Sequence, residues 1–173
     1  MRIISGKYKG KKLEGFNIIG TRPTMDRVKE SLFGMIQNYI NGSIVLDLFA
    51  GSGALGLEAI SNGAKKCYFI DNNIEAIKTI KNNSINVKED LEIINTDYKK
   101  FLKNTNEKFD IIFLDPPYEA NNLNKALRII EERDLLKDNG IVVCEYEKGY
   151  IETNLKLIKD KSYGPKNIKI YGK

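Results

Sequence analysis

Short apolar runs recur along most of the chain, each closed by a polar or glycine-containing turn and followed by a stretch with helical spacing. Ile44-Val45-Leu46 runs to Asp47, and a helix over residues 53–61 ends at Asn62-Gly63. Residues 67–70 form the next strand. A helix over residues 73–84 follows, with Ile74, Ile77 and Ile80 on one stripe. Residues 91–94 are a third strand, with a short helix over 98–103, and residues 109–114 are a fourth, apolar almost throughout as a strand covered on both faces should be. A helix through Leu123, Leu127 and Ile130 leads to Gly140 and the strand 141–144. Residues 155–158 and 168–171, split by Tyr163-Gly164-Pro165, read as a closing antiparallel pair. This alternation predicts an α/β fold with an open, doubly wound, Rossmann-like sheet.

The first forty residues break the pattern. Residues 2–5 and 11–13 read as two short strands around the turn Gly6-Lys7-Tyr8-Lys9-Gly10, and residues 15–21 as loop. Arg22-Pro23-Thr24 opens a helix with Thr24 as N-cap, apolar at Val28, Leu32, Met35, Ile36 and Tyr39 and ended by Asn41-Gly42. The expected organisation is therefore a hairpin-plus-helix extension over residues 1–40 on a domain spanning 41–173.

Charge sharpens this division. The chain of 173 residues carries a net +5, and residues 1–30 hold eight basic against three acidic side chains, the whole of the excess. A basic element on a neutral body suits a polyanion, nucleic acid before membrane. Tyr8 among Lys7, Lys9, Lys11 and Lys12 adds an aromatic face on which a base can stack. No apolar run approaches the ~20 residues of a membrane span, and the opening Met-Arg-Ile-Ile-Ser-Gly-Lys has no signal-like core, so a cytosolic location is expected. Cys67 and Cys144 sit in apolar runs, as small buried hydrophobes rather than a disulfide. The sequence has no histidine, which removes Ser-His-Asp and Cys-His hydrolases and almost every zinc enzyme; no metal is expected.

Chemistry concentrates at strand ends. Gly51, Gly53 and Gly56 in Asp47-Leu48-Phe49-Ala50-Gly51-Ser52-Gly53-Ala54-Leu55-Gly56 fit G-x-G-x-x-G, with Asp71 twenty residues after Gly51, which taken alone permits an NAD enzyme. Asp47 argues otherwise, because a carboxylate there repels a pyrophosphate but suits the ammonium and sulfonium of S-adenosylmethionine. Asp71 can take two ribose hydroxyls, and Asp97 the amino group of adenine. The fourth strand delivers Asp115-Pro116-Pro117-Tyr118 to the same edge. There the carboxylate and the Pro116 carbonyl can accept from one planar amino group, while Tyr118 offers a face to its ring. Such acceptors favour a pyramidal, nucleophilic amine and stabilise the charge developing on it.

These motifs resemble the class I S-adenosylmethionine-dependent methyltransferases, and within them the bacterial 16S ribosomal RNA guanine-N2 methyltransferases that modify guanine 966. The resemblance rests on residues 2–13, on Arg22-Pro23-Thr24-Met25-Asp26-Arg27-Val28-Lys29-Glu30-Ser31-Leu32-Phe33, on residues 47–59 and on Asp115-Pro116-Pro117-Tyr118. It implies seven strands with one reversed, and Asp47, Phe49, Ala50, Gly51, Gly53, Asp71, Asn72, Asp97 and Tyr98 around the cofactor. It implies Asp115, Pro116, Pro117 and Tyr118 around the target base. Lys7, Tyr8, Lys9, Lys11, Lys12, Arg22, Thr24 and Arg27 are then expected to touch RNA, in a monomer acting on ribosomal RNA or a small-subunit particle. Two rivals stand beside this reading: a DNA adenine-N6 methyltransferase, and a nucleotide-binding α/β domain without methyl transfer.

Overall fold

The computed structural model describes residues 1–15, 23–117 and 120–173, with the side chains of Pro23 and Thr24 left aside. Along the chain run α1 (Pro23–Ile40), β1 (Ile44–Asp47), α2 (Ala54–Ser61), β2 (Lys66–Asp71), α3 (Ile74–Asn83) and β3 (Asp90–Asn95). They are followed by α4 (Tyr98–Asn104), β4 (Phe109–Leu114), α5 (Ala120–Glu132), β5 (Leu136–Tyr146), β6 (Lys156–Tyr163) and β7 (Lys166–Gly172). The sheet order is β3-β2-β1-β4-β5-β7-β6. Strands β1 to β5 are parallel, and β7 runs antiparallel to both of its neighbours. The Rossmann-like sheet with one reversed strand is the expected one.

Alternation along each strand feeds two cores. Val45, Cys67, Phe69, Ile111 and Phe113 pack beneath α1, α2 and α3, while Leu46, Ile70, Ile112 and Leu114 pack beneath α4 and α5. The strand order reverses between β1 and β4, so the carboxyl ends of these central strands open a crevice.

Several boundaries differ from the sequence reading. Helix α5 stops at Glu132 rather than running towards Gly140, because Asp134 turns left-handed (φ 53°) and the Leu135 N–H closes onto the Ile130 carbonyl at 3.0 Å. β5 therefore starts at Leu136, and its register to β4 slips between Phe109 and Ile111 around left-handed Asn139. β6 and β7 extend beyond the expected pair, since the lysines that guard an exposed edge strand conceal its length. α1 begins at Pro23, where a missing N–H costs nothing, so Thr24 falls inside the first turn instead of at the cap.

The N-terminal hairpin reduces to one antiparallel bridge, Arg2 to Lys12. Its hold on the body is tertiary. Gly6 is left-handed (φ +85°), and a Cβ there would lie 2.0 Å from the Ser61 carbonyl oxygen, so only glycine fits. Glu58, 1% exposed, accepts from the N–H groups of Ile4 (2.9 Å) and Ser5 (3.1 Å) and pairs with Lys29 Nζ at 3.1 Å. Ile3 and Leu13 join the same core as Leu32, Phe33, Ile36 and Ile40 of α1. Residues 1–15 are thus stitched to α2.

Candidate active site

The glycine loop after β1 is built by backbone geometry. Gly51 (φ 57°) and Gly53 (φ 81°) are both left-handed. A Cβ on Gly51 would meet nothing within 4 Å, so the loop is open on that side to a ligand. Gly56 is a glycine for the opposite reason: a Cβ there would lie 2.4 Å from Phe69 Cε1 and 2.7 Å from Cys67 Sγ, so α2 could not sit this close to β2.

Three acids surround this loop, each in a different setting. Asp71 is half-buried, with Oδ2 accepting from the Gly51 N–H and Oδ1 from the Asn73 N–H, both at 2.9 Å. A carboxylate offers about four acceptor sites, so two remain for vicinal hydroxyls. Asp97 is exposed and caps α4 through Oδ2, which accepts from Lys99 N (3.0 Å) and Lys100 N (3.1 Å), leaving Oδ1 without a partner among the described residues. The turn between these acids is tied down, with Thr96 N–H and Asn95 Nδ2 both donating to the Asp71 carbonyl. Asn72 is exposed beside them. Phe49 and Tyr98 pack ring to ring at 4.9 Å, and the Ala50 N–H donates to the Ile70 carbonyl.

Asp47 sits differently from the expectation of an open carboxylate facing a cation. It is 2% exposed beneath the loop, and its Oδ2 accepts from the Gly56 N–H at 3.0 Å, bracing the start of α2. Burial pushes its pKa up to about 8, with Asp71 and Glu145 adding to the rise and the Gly56 bond opposing it. Any influence on a bound cation is therefore exerted from below the loop.

β4 carries Asp115 to the same edge, half-buried and followed by buried Pro116. Burial, then the neighbouring Glu145 carboxyl, push the Asp115 pKa well above the usual carboxylate range, while Lys166 works against the rise. Tyr118 and Arg22 lie outside the described residues, as does the side chain of Thr24. Glu145 (4% exposed) and Lys166 were not singled out from sequence. The available signal was an acid at the end of an apolar parallel strand, one residue past the position paired with Leu114.

The basic N-terminal residues divide into two groups. Lys7 Nζ pairs with Glu89 at 3.0 Å, and Lys11 Nζ donates to the Ile85 carbonyl. Tyr8 packs against the core with its hydroxyl on the Glu89 carboxylate, so its ring is committed to the protein in this arrangement. Lys9, Lys12 and Arg27 are exposed, with no ion pair among the described residues. Buried Asn83 joins Glu14 to the Ser52 carbonyl, which brings this segment to the rim of the glycine loop.

A Rossmann-like sheet, an open glycine loop, two acids at adjacent strand ends and an Asp-Pro-Pro corner on the same edge define an S-adenosylmethionine-dependent methyltransferase, and the comparisons agree. Residues 1–172 match the family described as Conserved hypothetical protein 95, and the chain belongs to it. It is 39% identical over 179 residues to the Haemophilus influenzae protein named ribosomal RNA small subunit methyltransferase D, covering 99% of this chain and 93% of that one. The Escherichia coli protein of the same name is 32% identical over 176 residues, covering 99% and 89%. The solved structure of Escherichia coli yhhF superposes with a TM-score of 0.87 at 31% identity, covering 99% and 96%.

Proposed function

We propose that the protein methylates the exocyclic N2 amine of a guanine in 16S ribosomal RNA, of the guanine 966 type. The observation that carries this reading is the placement of Asp115 and Pro116 at the end of β4, on the crevice that Asp71 and Asp97 line from β2 and β3. When bound, S-adenosylmethionine supplies an activated methyl group on a good leaving group. Asp71 holds the ribose hydroxyls, Asp97 accepts from the adenine amino group, and the backbone at Gly51 and Gly53 admits the ligand closely, with Phe49, Ala50, Asn72 and Tyr98 around it. The Asp115 carboxyl and Pro116 carbonyl orient the target amine by accepting from its hydrogens, with Pro117 fixing the corner and Tyr118 against the base. Holding nitrogen and methyl in line supplies much of such a reaction's barrier lowering.

Exposed Lys9, Lys12 and Arg27 offer phosphate contacts, and Lys7, Tyr8, Lys11, Arg22 and Thr24 complete the RNA-facing element. The names of the 32–39% identical relatives support ribosomal RNA as the substrate. No helix among the described residues is long and apolar enough to cross a membrane. The reading takes the protein as a cytoplasmic monomer that acts on ribosomal RNA, free or within a small-subunit particle, with the target base exposed in a loop or flipped out. The test is to incubate the protein and S-adenosylmethionine with 16S RNA, free and in small subunits, from a strain lacking the gene, and to map methylation by mass spectrometry. One N2-methylguanine per molecule is expected; methylation of adenine, or none, refutes the reading.

A further inference from the structure

Behind Asp115 the sheet aligns two charged groups with no part in the contacts above. Leu114 of β4 pairs with Cys144 of β5, so the next residues, Asp115 and Glu145, project from the same face of adjacent strands. On the far side of β5, Ile168 of β7 lies opposite Glu145. Lys166, two residues earlier on that same face, donates from Nζ to Glu145 Oε2 at 3.2 Å. Three charged side chains thus line up across β4, β5 and β7, with buried Leu114, Cys144, Tyr146 and Ile168 beside them. Removing such groups from water is costly unless they serve one another or a ligand.

The Asp115 and Glu145 carboxyls thus face each other from neighbouring strand positions. The charged groups facing Asp115 are Glu145 from β5, Lys166 from β7 and Asp47 from β1, while Glu147 acts on Lys166. Burial works against the Lys166 ammonium, but Asp115 and Glu145 outweigh it.

We propose, building on the methyl-transfer reading, that Glu145 and Lys166 are positioning residues that set the charge and orientation of Asp115 so that it takes up the proton shed by the methylated amine. In the step, the amine lone pair forms the bond to the methyl carbon, and the carbon–sulfur bond breaks with its electron pair left on sulfur. The nitrogen then carries one proton too many. That proton passes to Asp115 and is shared with Glu145, and the trio moves from one net negative charge to neutral. Lys166 balances the remaining carboxylate, and water takes the proton after product leaves.

The test is the pH profile of single-turnover methyl transfer at saturating S-adenosylmethionine and RNA, with melting temperature and S-adenosylhomocysteine affinity as controls. Glu145→Gln removes a like charge facing Asp115, so the acid limb should move to lower pH. Lys166→Met removes the balancing cation, so the limb should move to higher pH, each by about one unit or more. Lys166→Arg should leave it in place. A structural role alone would lower melting temperature without opposed shifts, so limbs that stay put or move together overturn the inference. Should Glu145→Gln fail to fold, Lys166→Met against Lys166→Arg carries the same decision. A wild-type protein that transfers no methyl group instead sinks the underlying reading, and this inference with it.

Discussion

Replacing Asp71 with alanine probes the proposed ribose contact in the cofactor crevice. Each Asp71 oxygen already receives one backbone N–H, from Gly51 or Asn73, at 2.9 Å. The acceptor sites left over are those the proposed function gives to two ribose hydroxyls. Hydrogen bonds to a charged group contribute about 1.5–3 kcal/mol each, and water regains part of what the variant loses, so a net loss of about 3 kcal/mol is reasonable. At 1.4 kcal/mol per tenfold, S-adenosylhomocysteine affinity should fall roughly 100-fold. Asp71→Asn keeps one carbonyl acceptor and should lose roughly tenfold. Calorimetric titration reads both values, and a melt alongside shows whether the orphaned Gly51 and Asn73 amides have loosened the fold. A folded Asp71→Ala protein that binds S-adenosylhomocysteine within about twofold of wild type refutes the assignment of Asp71 to the ribose.

Other perturbations address separate parts of the account. Lys9→Ala with Lys12→Ala should weaken RNA binding and reduce the slope of log affinity against log salt by about 1.5; an unchanged slope in filter binding moves the RNA surface elsewhere. Asp47 should make the ligand-free protein less stable as pH rises from about 4 towards 8, because its folded-state pKa of about 8 lies above the unfolded value and the folded chain holds the extra proton. Asp47→Asn removes that proton linkage, so in urea melts the variant should gain on wild type across this window, and parallel curves would contradict the buried, proton-holding carboxyl. Glu58→Ala leaves Lys29 buried without its partner, a change that costs about 3–5 kcal/mol. For a chain of this size that is a melting-temperature drop of roughly 10 °C, with faster amide exchange at Ile4 and Ser5; an unchanged melt would show that the N-terminal segment is held by other contacts.

The parts of the fold that follow from apolar periodicity were legible because local pattern and tertiary burial agree there: Phe109–Leu114 is, apart from Asp110, apolar in sequence and buried on both faces of the sheet. Where polar residues do a structural task, the sequence hides it. The lysines of β6 protect an edge and mask a strand, and Asp134 ends α5 in a conformation more familiar for glycine. The shared edge of Asp71 and Asp97 was readable because strand-end acids in a doubly wound sheet lie along it. Asp47 shares that edge too, but its burial depends on how closely α2 approaches β2, a distance set by Gly56 and Phe69. Glu145 and Lys166 meet only through the reversed strand β7, and no local spacing reports that pairing. The basic N-terminus was legible as charge, while its attachment through Glu58 and Ser61 required the third dimension.

A crystal structure of the protein grown with S-adenosylhomocysteine tests the central claim most directly. The account predicts the ribose hydroxyls on the Asp71 carboxylate, the adenine amino group at Asp97 Oδ1, and the sulfur turned towards the Asp115-Pro116 corner. An empty crevice at saturating ligand, or preferential occupation by a pyrophosphate-bridged dinucleotide such as NAD, would contradict it.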